Sequence, residues 1–162
     1  MIVVADSSVL ISLSAIGQLA IIHARFPEGI FIASAVWKEV VEQGRGRPGA
    51  EGVRTATWIK RFEIKDLVFA QYLQTGLDAG EAESIVLARE LNANLILLDE
   101  RDARDVAKSF GVHVLGTIGL LIWAKQTGHV DNLKELLDKL LYTANFRLSN
   151  SLYAFALHQV NE

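Results

Sequence analysis

Four short runs set the framework of this chain: Ile2–Ala5, Ile30–Ala33 and Leu95–Leu98, all wholly apolar, and Val112–Leu115, apolar but for His113. Runs of this length without polar alternation suit strands buried on both faces, as in a parallel sheet covered by helices. The segments between and after them carry helical periodicity. Helices are predicted over Val9–Ala15, Leu19–Phe26, Ser34 to about Gln43 and Asp66–Thr75, and from Asp78 onward with Ile85, Ala88 and Leu91 on one stripe. Further helices are predicted over Asp102–Phe110, Ile118–Gln126, Asp131–Leu141 and Ser149–Val160. A weaker strand falls between Trp58 and Ile64, giving about five strands in all. The alternation predicts an α/β fold of three layers, α/β/α, around a central, mainly parallel sheet, with residues 1–162 forming a single domain.

Turn chemistry supports these boundaries. Asp6-Ser7-Ser8 and Ser34 offer capping oxygens before helical patterns, and Pro27-Glu-Gly29 reads as a turn. Gly44-Arg-Gly-Arg-Pro-Gly49 is the clearest loop, with Arg45 and Arg47 between its turn formers.

Carboxylates stand at the edges of the apolar elements. Asp6 follows the first run directly and Asp99 the third, while Glu39 and Glu81 lie near the starts of helical patterns. In an open parallel sheet the carboxyl ends of strands and the helix starts behind them gather along one rim, where ligands bind. Carboxylates brought together there repel, by about 4 kcal/mol per pair at 4 Å and an effective dielectric near 20. Hard divalent cations such as Mg²⁺ or Mn²⁺ relieve that cost and prefer oxygen ligands. Asp6, Glu39, Glu81 and Asp99 are therefore the candidate catalytic and metal-binding set of a phosphoryl-transfer enzyme.

Each of these residues also has a plainer role open to it. Asp6 and Asp99 could cap the helices that follow them. Asp78 and Glu81 have capping-box spacing, which needs no chemistry. Glu83 is the nearest substitute for Glu81, Glu42 for Glu39, and Glu100 or Asp102 could share the role of Asp99. Ser7 could contact metal-bound water or phosphate, or cap. Arg101, Arg104 and Lys108 recur at helical spacing beside the acids and could meet phosphate or form an exposed face, as could Arg45 and Arg47 in their loop.

Composition narrows the classes. Of 162 residues 51% are apolar, with no low-complexity stretch, which excludes a disordered tail as the main element. A net charge of −3 argues against a strongly basic nucleic-acid binder, so a polyanion must be held by local patches and metal. The positive mean hydropathy predicts apolar surface covered in a homodimer or by a partner. The absence of cysteine removes disulfides, thiolate zinc sites and cysteine nucleophiles. His23, His113, His129 and His158 lack ligand spacing, and Trp37, Trp58 and Trp123 are not spaced as a stacking platform. No run approaches the roughly 18 apolar residues of a membrane span. Met1–Asp6 has neither a basic leader nor a cleavage site, so no membrane association and a cytoplasmic location are expected. No glycine fingerprint of a dinucleotide or P-loop site follows Ala5.

In their order along the chain these residues resemble the motifs of PIN-domain proteins, the fold of many toxin-type ribonucleases. Val-Val-Ala-Asp6-Ser-Ser resembles the first motif and Ser34-Ala-Val-Trp-Lys-Glu39 the second. Gly80-Glu81-Ala-Glu-Ser-Ile85 resembles the third, with Glu81 where many members carry Asp, and Leu-Leu-Asp99-Glu100 the fourth. Val114-Leu-Gly-Thr-Ile-Gly119, Arg104 and Phe146-Arg-Leu-Ser149 are similar to a branch of PIN-like proteins described as nucleic-acid binding. The resemblance implies a Mg²⁺- or Mn²⁺-dependent endoribonuclease that hydrolyses RNA phosphodiester bonds in single strands or loops through Asp6, Glu39, Glu81 and Asp99. Ser7, Glu83, Glu100, Asp102 and Arg104 would lie behind the ligands or touch phosphate. The resemblance also admits an antitoxin-type protein partner. The alternative is a weakly active or inactive PIN-like module that binds nucleic acid or protein.

Overall fold

The computed structural model describes residues 1–162. The first apolar run becomes β1 (Val3–Ala5), fully buried, at the centre of the sheet. β2 (Ile30–Ala33) lies on one side of it and β3 (Ile59–Phe62) beyond β2, while β4 (Leu95–Leu97) and β5 (His113–Leu115) lie on the other side. All four pairings are parallel, with Val4 opposite Phe31 and Ala5 opposite Leu97. The chain thus grows outward from β1 to β3, returns across the sheet, and grows outward again from β4. That reversal parts the connections leaving β1 and β4 and opens a crevice at their carboxyl ends.

Helices cover both faces in a three-layer α/β/α arrangement. On one face α6 (Ala79–Glu90) packs against β1, β2 and β4, flanked by α3 (Ser34–Trp37) and α5 (Leu67–Leu73). The expected stripe residues Ile85 and Ala88 are buried, and so are Val86 and Leu87, because neighbouring helices enclose α6 on more than one side. A second group comprises α1 (Ser7–Ala15), α2 (Ala20–Arg25), α8 (Thr117–Gln126), α9 (Leu133–Thr143) and α10 (Asn150–Gln159). The remaining helices are α4 (Ala50–Thr55) and α7 (Arg101–Ser109), the latter packed against β5. One cluster of 40 buried apolar residues joins the sheet to both helical layers. Trp37, Trp58 and Trp123 pack half-buried on its margin, with Trp58 stacked on His23 and Trp123 on His129.

Several boundaries shift by one or two residues from the sequence reading, as where α9 runs Leu133–Thr143 rather than Asp131–Leu141, and three differences bear on the site. α1 starts at Ser7 rather than Val9, because Asp6 itself is the cap and accepts a hydrogen bond from the Ser8 N–H at 3.3 Å. Ser34 does not cap the next helix. Ala33 holds that position, Ser34 is the first helical residue, and its hydroxyl accepts from Arg61 Nε at 3.3 Å. The helix expected to run on to Gln43 changes to π-helical winding over Lys38–Glu42. Such segments alter the direction of side chains and recur at functional sites.

Candidate active site

Asp6 and Asp99 stand at the two lips of the crevice. The Asp6 N–H donates to the Leu97 carbonyl at 2.9 Å, which extends the β1–β4 ladder by one residue and fixes where the Asp6 side chain emerges. Asp6 is only 2% exposed. Its Oδ2 accepts from the Ser8 hydroxyl at 2.9 Å as well as from the Ser8 N–H. Burial outweighs these bonds and pushes the carboxyl from 3.8 up to about 6. The plainer capping role is therefore real, and it coexists with a charge the fold has isolated from water.

Ser7 links the first two motifs. Its hydroxyl donates to Glu39 Oε2 and lies 3.4 Å from Asp6 Oδ1. A hydroxyl carries one hydrogen; it cannot serve both carboxylates, so one of them faces a lone pair unless a proton or a cation intervenes. Glu39, on the π-helical segment, also accepts from the Gly80 N–H at 3.0 Å. Its carboxyl is raised, chiefly by burial, with the charges of Asp78 and Glu83 adding to the effect.

Glu81 forms the expected capping box. Its N–H donates to Asp78 Oδ1 at 2.8 Å, and its Oε2 accepts from the Asp78 N–H at 3.1 Å. Burial and the charges of Asp78, Asp6 and Glu100 lift the Glu81 carboxyl to about 7. Glu83 has a different employment. Its Oε1 accepts from the Ala35 N–H at 3.2 Å and supplies the start of α3 with the partner that Ser34 does not.

Asp99 lies beyond the end of β4, held by both donors of Thr117: the N–H reaches Oδ1 at 2.7 Å and the hydroxyl reaches Oδ2 at 2.6 Å. Burial raises its carboxyl, while these bonds and the nearby Arg104 guanidinium oppose the rise. Glu100 is the exposed N-cap residue of α7, Asp102 is exposed in its first turn, and Arg104 is half-buried beside Asp99 and Gly116. Arg101 and Lys108 are exposed on α7, and Arg45 and Arg47 are exposed in the turn after the π-helical segment.

Asp78 and Thr117 are the residues the sequence reading passed over. Asp78 counts there only as a cap, yet its charge raises Asp6, Glu39 and Glu81 alike. Thr117 sits in the Gly-Thr-Ile-Gly stretch that had no role assigned. Its signal is a hydroxyl residue just behind a strand, in the place where Asp6 and Ser7 follow β1.

The donor set suits a hard cation. Every candidate ligand is a carboxylate oxygen, and burial raises all four carboxyls, with Arg104 opposing the rise only at Asp99. The side chains do not converge three at a time on one point, since each is turned to a hydrogen-bond donor. Mg²⁺ commonly keeps several waters and takes only one or two carboxylates directly, so one or two of Asp6, Glu81 and Asp99 could touch such an ion while the others act through its waters.

A family model described as a PIN domain matches residues 2–162, so the chain belongs to the PIN-domain family, whose members are generally nuclease-like. No curated protein matches the chain. Among solved structures it is similar to a PilT N-terminus domain protein from the hyperthermophilic archaeon Sulfolobus solfataricus P2, at 19% identity and a TM-score of 0.47, over 93% of this chain and 99% of that one.

Proposed function

We propose that this PIN-domain protein is a Mg²⁺- or Mn²⁺-dependent endoribonuclease. The observation that carries the reading is Asp6 and Asp99 standing behind adjacent parallel strands, with Glu39 joined to Ser7 and Gly80 by hydrogen bonds and Glu81 near enough for the charge of Asp6 to act on it. Asp6, Glu81 and Asp99 would hold the cation, and Glu39 would complete the set directly or through water. A bound divalent cation activates water and offsets charge developing on the phosphate. The protein's own part is orientation. Thr117 fixes both oxygens of Asp99, Gly80 and Ser7 fix Glu39, and Ser8 fixes Asp6. No histidine stands among these groups, so neither a histidine base nor a covalent intermediate is invoked. Hydrolysis by this route leaves a 5′-phosphate and a 3′-hydroxyl. End-group analysis of RNA cleaved with Mn²⁺ tests it, and 2′,3′-cyclic phosphate ends would contradict it.

The same reading extends to partners. Leu67, Val68 and Tyr72 are strongly exposed along α5. Their exposure supports a second copy of this chain, or an antitoxin-type protein, covering that surface, and sedimentation of the purified chain tests the first. No helix is long and apolar enough to cross a membrane; a cytoplasmic location is part of the proposal.

A further inference from the structure

Two stretches that stood out in the sequence without a role, Val114–Gly119 and Phe146–Ser149, meet in one cavity of about 260 Å³ that adjoins Asp99. Val114 and Leu115 of the edge strand β5 form one wall, and Ile118 and Ile122 of α8 form another. The C-terminal helix α10 contributes Leu152 and Phe155, which remain 39% and 53% exposed. Asn145, at a φ of 51°, reverses the chain after α9, and the Phe146 N–H then donates to the Leu140 carbonyl at 3.0 Å. This turn delivers Phe146 and Arg147 to the cavity.

Charge and shape at this place agree. Arg104 and Arg147 both line the cavity, and neither is taken up by an ion pair. At the mouth, Gly116 lets the backbone approach Asp99 and Arg104 closely: a Cβ there would fall 2.9 Å from Asp99 Oδ1 and 3.1 Å from Arg104 Nη1. A largely apolar slot with two guanidinium groups in its lining, one of them beside Asp99, matches a ligand that is apolar and planar in one part and anionic in another. The volume is below the roughly 300–1,000 Å³ of sites for drug-sized ligands, which favours a single planar ring system. Unpaired RNA bases are recognised in this way, splayed out against aromatic side chains or arginine planes while cations hold the flanking phosphates. A base inside a duplex cannot enter.

We propose that this cavity receives one unpaired nucleobase of the RNA strand, next to the phosphodiester presented to the carboxylates, with Phe155 as its stacking surface and Arg104 and Arg147 on the neighbouring phosphates. The proposal rests on the ribonuclease reading of the adjoining rim, but binding tests it without cleavage. Base–aromatic stacking is worth about 1–3 kcal/mol per base, roughly 5- to 150-fold in affinity.

The test is fluorescence anisotropy of the full chain with a labelled single-stranded RNA oligonucleotide, scanned with one abasic position at a time. The result expected is a loss of at least about fivefold at one position, absent in Phe155→Ala, with Arg147→Ala weakening every oligonucleotide by a similar factor and flattening the salt dependence. A scan that is flat in the wild type, one equally position-sensitive in Phe155→Ala, or no RNA binding at all, overturns the subsite; the cavity would then suit an apolar side chain of a protein partner. Phe155→Ala removes a half-exposed ring, and an unchanged melting temperature separates lost stacking from lost fold. Position-sensitive binding without cleavage supports the subsite and counts only against the nuclease reading. Cleavage that ignores the abasic position counts only against the subsite.

Discussion

Gly80 and Glu39 are in such close contact that the Glu39 carboxylate occupies the space a side chain at Gly80 would need. A Cβ at Gly80 would fall 2.6 Å from Glu39 Oε2, and the Gly80 N–H donates to Oε1 of the same carboxylate. The third motif therefore holds the second through backbone, and only glycine permits it.

Gly80→Ala separates activity from stability. Alanine favours helix by about 1 kcal/mol over glycine, and the group it displaces is the far end of a flexible side chain. The melting temperature is expected to stay within a few degrees of wild type. RNA cleavage is expected to fall by an order of magnitude or more, because misplacing a group by about 1 Å can cost about 100-fold. Full activity in this variant would remove Glu39 from the site.

Asp6→Asn is expected to stabilise the metal-free protein. Raising the carboxyl from 3.8 to about 6 corresponds to about 3 kcal/mol against the ionised form. The sign follows from proton binding: between pH 4 and pH 6 the folded state holds the proton more tightly than the unfolded state, so wild-type stability declines as pH rises through that window. The asparagine variant lacks the ionisation, and Ser8 can still donate to its amide oxygen. Melting curves at pH 4.5 and pH 8 in EDTA should show the variant gaining on wild type much more at the higher pH.

Divalent cations should reverse that pH trend. Binding to the folded state alone adds about 2.7 kcal/mol when the ligand is at 100 times its Kd. A carboxyl such as that of Glu81, raised to about 7, must lose its proton to bind. Mg²⁺ or Mn²⁺ should therefore raise the melting temperature clearly at pH 8 and little at pH 5, with the gain reduced in Asp99→Asn. An equal gain at both pH values would point to cation binding away from these carboxylates.

Thr117→Val removes the hydroxyl bond to Asp99 Oδ2 and leaves the N–H bond to Oδ1. Such supporting contacts are commonly worth 10- to 100-fold in metal affinity or activity. Cleavage should fall by about tenfold and the cation concentration for half-maximal rate should rise, while Thr117→Ser should recover most of both. Rescue by serine is the readout that simple loss of packing would not give.

The reach of the sequence is clearest at Asp6 and Asp99. Each ends an apolar run, and in a parallel sheet that address is enough to place a side chain at the ligand-binding rim. Glu81 was legible as a capping box, and the structure forms that box; its place among the metal ligands belongs to the proposed function. Glu39 was legible as a residue but not in its setting. Nothing in Lys-Glu-Val-Val-Glu announces π winding, which accompanies contacts to Ser7 and Gly80, far away in the chain. Glu83 shows the opposite case: its spacing suits the site, yet a donor on α3 takes it. The convergence of Val114–Gly119 with Phe146–Arg147 was equally hidden, since it depends on how α10 returns to the edge of the sheet.

The most direct test of the central claim is cleavage of a mixed RNA pool with Mn²⁺ and with Mg²⁺, comparing wild type with Asp6→Asn and Asp99→Asn. The account predicts metal-dependent cleavage by wild type and its loss in both variants with either metal, while both still fold. Undiminished cleavage in the variants, or no cleavage by wild type together with no calorimetric metal binding, would contradict it.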